Sequence, residues 1–181
     1  SIQQPAASDR DIDVLFCGYA YPSRQRFVGA LLPHLRGVRV VLVGDGWEGR
    51  PVENMPTQDV LATYLLHGRA KTVVCLHRTS GDCSDGPVQP RTVNRGFMEG
   101  YCGARVFVDE LRDHSAFEDG DVVRYRSPMH LASKLLEYLD GPRPPEVDRF
   151  ADRCRRDFTY RTRLARILNC VRAPRYMAEI P

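Results

Sequence analysis

Much of what would identify a function quickly is missing from this chain. No apolar run approaches the roughly 20 residues that cross a bilayer, and Ser1–Asp9 carries neither a basic n-region nor an apolar h-region, so no signal peptide is legible. The six cysteines (Cys17, Cys75, Cys83, Cys102, Cys154, Cys170) form no C-x-x-C, and the five histidines (His34, His67, His77, His114, His130) show no H-E-x-x-H or other ligand spacing. A metal site is therefore not expected, and the thiols read as reduced, in a cytoplasmic protein. There is no G-x-S-x-G elbow for a nucleophilic serine. The G-x-G-x-x-G of a standard dinucleotide site is missing too. Internal repeats are absent. The composition, 43% hydrophobic and 27% charged with 14 Gly and 13 Pro, excludes collagen, disorder and a disulfide-dense mini-protein. Lysine is nearly absent: Lys71 and Lys134 are the only two, and every other cation is arginine.

The 181 residues suit one α/β domain, large enough to bury a core without disulfide or metal. Residues 1–12 read as a disordered or linker N-terminus, 13–171 as the domain and 172–181 as a tail. The net charge of +3 is unevenly spread, because Arg143 to Arg175 holds ten Arg against four acids. Arginine suits bidentate phosphate or carboxylate contacts, whereas a solvated helix face or a GC-rich coding sequence accounts for the bias equally simply. Without interleaved aromatics or a nucleic-acid motif, DNA or RNA binding receives little support.

Strand and helix patterns alternate. Asp13–Cys17 is a short continuous apolar run, as for a strand buried on both faces. A helix follows from about Ser23 to Leu35, then a strand over Val38–Val43. Thr57 can cap a helix carrying Val60, Leu61, Tyr64 and Leu65, with Gly68 at C′. Thr72–Leu76 is the next strand, followed by some 15 residues rich in Gly, Ser, Asp and Pro, His77 to Arg91. A helix near Asn94–Cys102 leads through Gly103 to a strand at Arg105–Val108. Val122–Tyr125 is another strand. Ser127-Pro128 then reads as an N-cap with Pro at N1, opening a helix with Leu131, Leu135, Leu136 and Leu139. One long helix closes the chain, from about Glu146 to Val171. The alternation predicts a Rossmann-like parallel sheet with helices on both faces, plus a long C-terminal helix. Ligands of such sheets lie beyond the carboxyl ends of the strands.

Two segments at those ends carry candidate chemistry. In Gly18–Arg26 a strand runs into a helix N-terminus, whose dipole attracts anions, and Arg24 or Arg26 could pair with phosphate; the plain alternative is an ordinary βα loop with solvated arginines. In Asn94–Gly103, Arg95 could meet a diphosphate and Glu99 ribose hydroxyls; the plain alternative is a solvent-facing Arg–Glu pair at i, i+4. Gly44-Asp45-Gly46 contains a G-x-G but follows the second strand. Asp109-Glu110, Asp119 and Asp121 lie near turns, where capping explains them.

Taken together, Asp13-Val14-Leu15-Phe16-Cys17-Gly18 with Tyr21-Pro22-Ser23-Arg24, and Val41-Leu42-Val43-Gly44-Asp45-Gly46-Trp47, resemble the donor half of CgeB-type, spore-maturation-like glycosyltransferases. These have the GT-B fold and are related to the retaining family 4. Arg95-Gly96-Phe97 with Gly103-Ala104 resembles the family's R-x-F-E-(x)4-G segment. Phe117, Asp119-Gly120, Tyr125-Arg126-Ser127 and Leu131 follow its order, and Asp157–Arg163 resembles its terminal H-T-Y-x-x-R helix. The resemblance implies a nucleoside-diphosphate-sugar donor, no cofactor and no metal. It implies a substrate site at Gly18, Tyr21, Arg24, Gly44, Gly46, Trp47, His77, Arg78, Asn94, Arg95 and Glu99, with Arg24 and Arg95 on the diphosphate and the loop after His77 over the sugar. Two departures stand out. The family glutamate falls on Met98, so Glu99 serves only if the helix start is rewound. The family's second domain, which holds the acceptor, has no counterpart in the sequence. The implied partner is thus an N-terminal acceptor domain or a separate chain, without which transfer is not expected. A non-catalytic Rossmann-like module that binds a nucleotide or a protein is the alternative.

Overall fold

In the computed structural model the described residues are 9–76, 94–110 and 117–159, together with 161, 162, 164, 165 and 168; for residues 94 and 95 only the backbone is described. Six parallel strands form one sheet: β1 (Ile12–Cys17), β2 (Val40–Val43), β3 (Glu53–Met55), β4 (Ala70–Cys75), β5 (Arg105–Asp109) and β6 (Val122–Tyr125), in the order β3-β2-β1-β4-β5-β6. The helices are α1 (Pro22–Leu31), α2 (Val60–Arg69), α3 (Asn94–Tyr101), α4 (Pro128–Asp140) and α5 (Pro145–Asp157). The Rossmann-like architecture predicted by the alternation is the one found.

Residues alternate across each strand, and so does the core. Val14 and Phe16 of β1 join Val40, Leu42, Val74 and Phe107 under α1 and α4. Leu15 joins Val41, Val43 and Val73 under Leu66 of α2. Cys75, Val106 and Val108 lie under Phe97 of α3 and Phe150 and Cys154 of α5. Burial drives the Cys154 thiol pKa up to about 12, so this cysteine is an inert core residue.

Several boundaries differ from the sequence reading. Strand β3 was not expected: Glu53-Asn54-Met55 is polar, and as an edge strand pairing only with β2 it needs no apolar run. The cap of α2 is Asp59, which accepts from the Ala62 N–H at 2.8 Å, while Thr57 donates its N–H and hydroxyl to Asp45. The helix runs through Gly68 and buries Leu66, His67 and Gly68, leaving Val60, Leu61 and Leu65 exposed at 75%, 55% and 51%. The last helix stops at Asp157. Phe158 leaves helical geometry and stacks on Phe97 at 4.0 Å, with helical residues again from 161. The folded unit also begins before residue 13, because Arg10 is buried and donates to the carbonyls of Ala70 (2.6 Å) and Cys102 (2.9 Å). The Ser127–Pro128 start of α4 is as expected, with the Ser127 hydroxyl accepting from the His130 N–H. Arg153 is no solvated cation: it pairs with buried Asp121 and lies against the Phe150 and Phe158 rings.

Candidate functional site

After β1 the chain crosses to β2 on one side, and after β4 to β5 on the other. That reversal leaves a crevice beyond the carboxyl ends of β1 and β4, the position where open α/β sheets bind ligands. Its β1 wall is built by two loops locked together. The Gly18 N–H donates to Val43 (2.7 Å), the Ala20 N–H to Asp45 (3.0 Å) and the Trp47 indole to the Gly18 carbonyl (2.7 Å). Gly44 makes this approach possible: its φ is +129°, and a Cβ there would lie 2.5 Å from the Gly18 oxygen. At Gly46 (φ +87°) a Cβ would press on Ala20 at 3.1 Å. Trp47 is 1% exposed, edge-on to Phe16 at 5.4 Å, and so supports the wall from within instead of lining it.

Tyr21 is the N-cap of α1, Pro22 follows at N1, and neither a side-chain cap nor an acidic residue occupies the first turn. A helix end of this kind presents positive potential to the crevice. Arg24, expected on the diphosphate, is instead buried. It donates to the carbonyls of Tyr19 (3.1 Å) and Leu76 (2.7 Å), with its guanidinium over the rings of Phe16 and Tyr21. It ties the β1 loop to the end of β4 and leaves a fixed positive charge beneath both. Tyr19, 48% exposed, is the open aromatic of this loop.

Helix α3 forms the opposite wall. It is regular from Asn94 to Tyr101 and ends in a Schellman arrangement, with the Ala104 N–H on the Glu99 carbonyl, the Gly103 N–H on Gly100, and Gly103 at φ +75°. Gly96 and Gly100 let the rings of Phe117 and Phe150 reach the helix backbone. The helix start is not rewound, so Glu99 takes no surface position. It is 2% exposed, with Oε1 3.7 Å from Nε2 of His67 on α2, itself fully buried. The other ring nitrogen, Nδ1, lies 2.7 Å from the Thr63 carbonyl; a carbonyl only accepts, so Nδ1 carries a proton. Burial alone pulls the His67 pKa down, but the side chains of Cys17 and Glu99 outweigh it and raise the value to about 10. Sequence reasoning missed His67, whose only signal was a histidine inside an apolar helix. Met98, where the family glutamate falls, is half-buried.

Of the expected site residues, the structure therefore gathers Gly18, Tyr21, Arg24, Gly44, Gly46 and Trp47 along one wall and brings α3, with Asn94 and Arg95 in its first turn, to the other. It withdraws the side chains of Arg24, Trp47 and Glu99 into the protein. His77 and Arg78 lie outside the described residues. Among the described residues no group of three or more metal-ligating side chains is present, no helix is long and apolar enough to cross a membrane, and Cys17, Cys75, Cys102 and Cys154 form no disulfide.

Residues 24–169 match the family model described as glycosyl transferase-like. The chain belongs to that family. No curated protein matches it. Among solved structures, sucrose-phosphate synthase from Thermosynechococcus elongatus is similar with a TM-score of 0.63 and 13% identity, covering 93% of this chain and 50% of that one. A T4 phage BGT mutant in complex with UDP-glucose matches at 0.60 and 12%, covering 84% and 46%. A glycosyltransferase involved in avilamycin A biosynthesis matches at 0.59 and 21%, covering 83% and 50%. The sheet and its helices are thus those of a GT-B glycosyltransferase domain, and the chain spans about half the length of these structures.

Proposed function

We propose that this glycosyl transferase-like domain binds the nucleoside-diphosphate-sugar donor of a metal-independent, CgeB-type GT-B glycosyltransferase. The observation that carries the reading is the crevice at the sheet's reversal point, walled by the capless start of α1 and the first turn of α3. The UDP-glucose held by the T4 phage neighbour supports it. In this reading the diphosphate lies between the two helix starts. Its charge is met by Arg95 directly and by the field of buried Arg24, so that the leaving group is stabilised without reorganisation. His77 and Arg78, outside the described residues, are assigned to the sugar in this reading. The acceptor belongs to a second domain or partner chain, without which transfer does not proceed, and the reduced thiols suit the cytoplasm.

The alternative is a non-catalytic Rossmann-like module for a nucleotide or a protein. The withdrawal of Glu99 from the crevice favours it.

Thermal unfolding in the presence of UDP-, GDP-, TDP- and ADP-sugars tests the donor reading. A ligand at about 100 times its Kd adds roughly 2.7 kcal/mol, and for a domain of this size each kcal/mol moves Tm by about 2–4 °C. The expected result is a shift of several degrees with one nucleotide class, lost in Arg95→Ala. No shift with any of them would leave only the fold in common with glycosyltransferases.

A further inference from the structure

Helix α2 wears its polarity the wrong way round for a solvated helix. Its buried side holds His67 and Gly68 beside Leu66, while Val60, Leu61 and Leu65 are exposed and Tyr64 is half-buried next to them. By contrast, α5 exposes Asp148, Arg149, Asp152, Arg155 and Arg156. At the end of α3, Tyr101 stands edge-on to Tyr64 at 6.3 Å and is 37% exposed, so the apolar face continues onto a second helix. Helix α2 packs against β1 and β4 on one face of the sheet, with Leu66 turned inward. A domain that closes the crevice meets the carboxyl ends of the strands, not this flank.

On the outward side of α2, charge sits only at the two ends. Exposed Asp59 caps the start. At the finish Arg69, shared with Asp11, continues the Leu61–Leu65 row at the next four-residue step. An uncharged apolar centre with aromatics and a charged rim is the composition of a protein interface. This one is also self-complementary. A second α2 laid antiparallel on the first sets Leu61 beside the second copy's Leu65 and brings each acidic start to a basic finish, and four-residue ridges of this kind interdigitate readily.

We propose that the outward face of α2, with Tyr101 of α3, is a self-association surface on which two copies of this chain pair antiparallel about a twofold axis. Five side chains fall well short of the roughly 800 Å² that each partner buries in a standard complex. The dimer is therefore weak, and in dilute solution the chain is a monomer with this face bare. The inference stands apart from the donor-site reading.

Sedimentation equilibrium of the whole chain tests it, with loadings from about 5 to 500 µM that bracket a Kd of about 100 µM, the weak end for a small interface. The expected average mass rises with concentration from 20.6 kDa toward twice that value. Leu65→Lys, at a position open to solvent, should stay monomeric throughout and keep its Tm in dilute solution. Asp59→Asn retains a helix cap but removes the charge, and should raise Kd by about threefold, the weight of two exposed ion pairs. A monomer mass at every loading overturns the proposal; if Leu65→Lys then also lowers Tm, the face is covered by the chain's own residues. A dimer that survives Leu65→Lys overturns it as well, because the copies then meet elsewhere. An unchanged Kd in Asp59→Asn overturns the antiparallel arrangement.

Discussion

At the scale of single residues, the crevice is shaped by glycines and by one buried pair. Gly44 combines a left-handed φ of +129° with an approach that leaves no room for a Cβ beside the Gly18 oxygen. Gly44→Ala therefore meets both backbone strain and a clash with main chain that cannot turn aside. A loss of about 2 kcal/mol or more is expected, read as a lower urea midpoint. An unchanged midpoint would mean that the β1 and β2 loops separate at little cost. His67 makes a prediction in pH. Its pKa is raised from the ordinary 6.5 to about 10 in the fold by Cys17 and Glu99, against the opposing effect of burial. A raised pKa means that the folded state holds the proton more tightly than the unfolded chain. The pair's contribution is thus fully present below pH 6.5 and is lost as pH climbs through about 10. Tm should fall between pH 7 and pH 10, and His67→Gln, though less stable at pH 7, should lose less of its own Tm over that window. Equal slopes in the two proteins would remove His67 as the titrating group.

At the scale of elements, the strands were the most legible feature. Val40–Val43, Val73–Cys75 and Val106–Val108 lie in interior strands of a parallel sheet and are buried, which forces the short continuous apolar runs that read as strands. Edge strand β3 has no such demand and left no pattern. Helix α2 misled for the opposite reason: its most apolar stripe, Val60, Leu61 and Leu65, faces outward, while its inward side carries His67 and Gly68, which look polar or structure-breaking on paper. The candidate site was legible in its position, because loops after alternating strands must gather at one sheet edge. It was not legible in its side chains, since nothing local distinguishes an arginine on phosphate from Arg24 on two carbonyls. The orientation of α2 can be checked directly. Leu66→Ala should cost about 2–5 kcal/mol as a buried deletion. Leu65→Ala, one residue away, should change stability by no more than about 0.5 kcal/mol. Comparable losses in the two variants would mean that the outward stripe is covered in solution.

At the scale of the whole molecule, the sheet joins two unlike halves across the β1–β4 seam. On one side, the loops after β1 and β2 are clasped around Trp47; on the other, α3 and α5 close over a cluster of Phe97, Phe117, Phe150 and Phe158. Arg24 bridges the seam at the carboxyl end through its bonds to Tyr19 and Leu76, and Arg10 bridges it at the other end, from the start of β1 to Ala70 and Cys102. With both ends of the seam tied, the halves should unfold together. Trp47 is the chain's only tryptophan, so its fluorescence reports the surroundings of the clasped β1 and β2 loops, whereas far-UV circular dichroism reports all helices. The two urea transitions of the wild type should coincide, as two-state unfolding requires. In Arg24→Ala, the buried Leu76 carbonyl and the part-buried Tyr19 carbonyl lose a charged donor, a loss of about 1–3 kcal/mol for the buried group left unsatisfied, and the seam opens at the end where the crevice lies. Fluorescence should then change at lower urea than circular dichroism. If the two curves stay superimposed in the variant, Arg10, the β1–β4 ladder and the core shared under α1 and α4 suffice to couple the halves, and Arg24 serves the crevice loop alone.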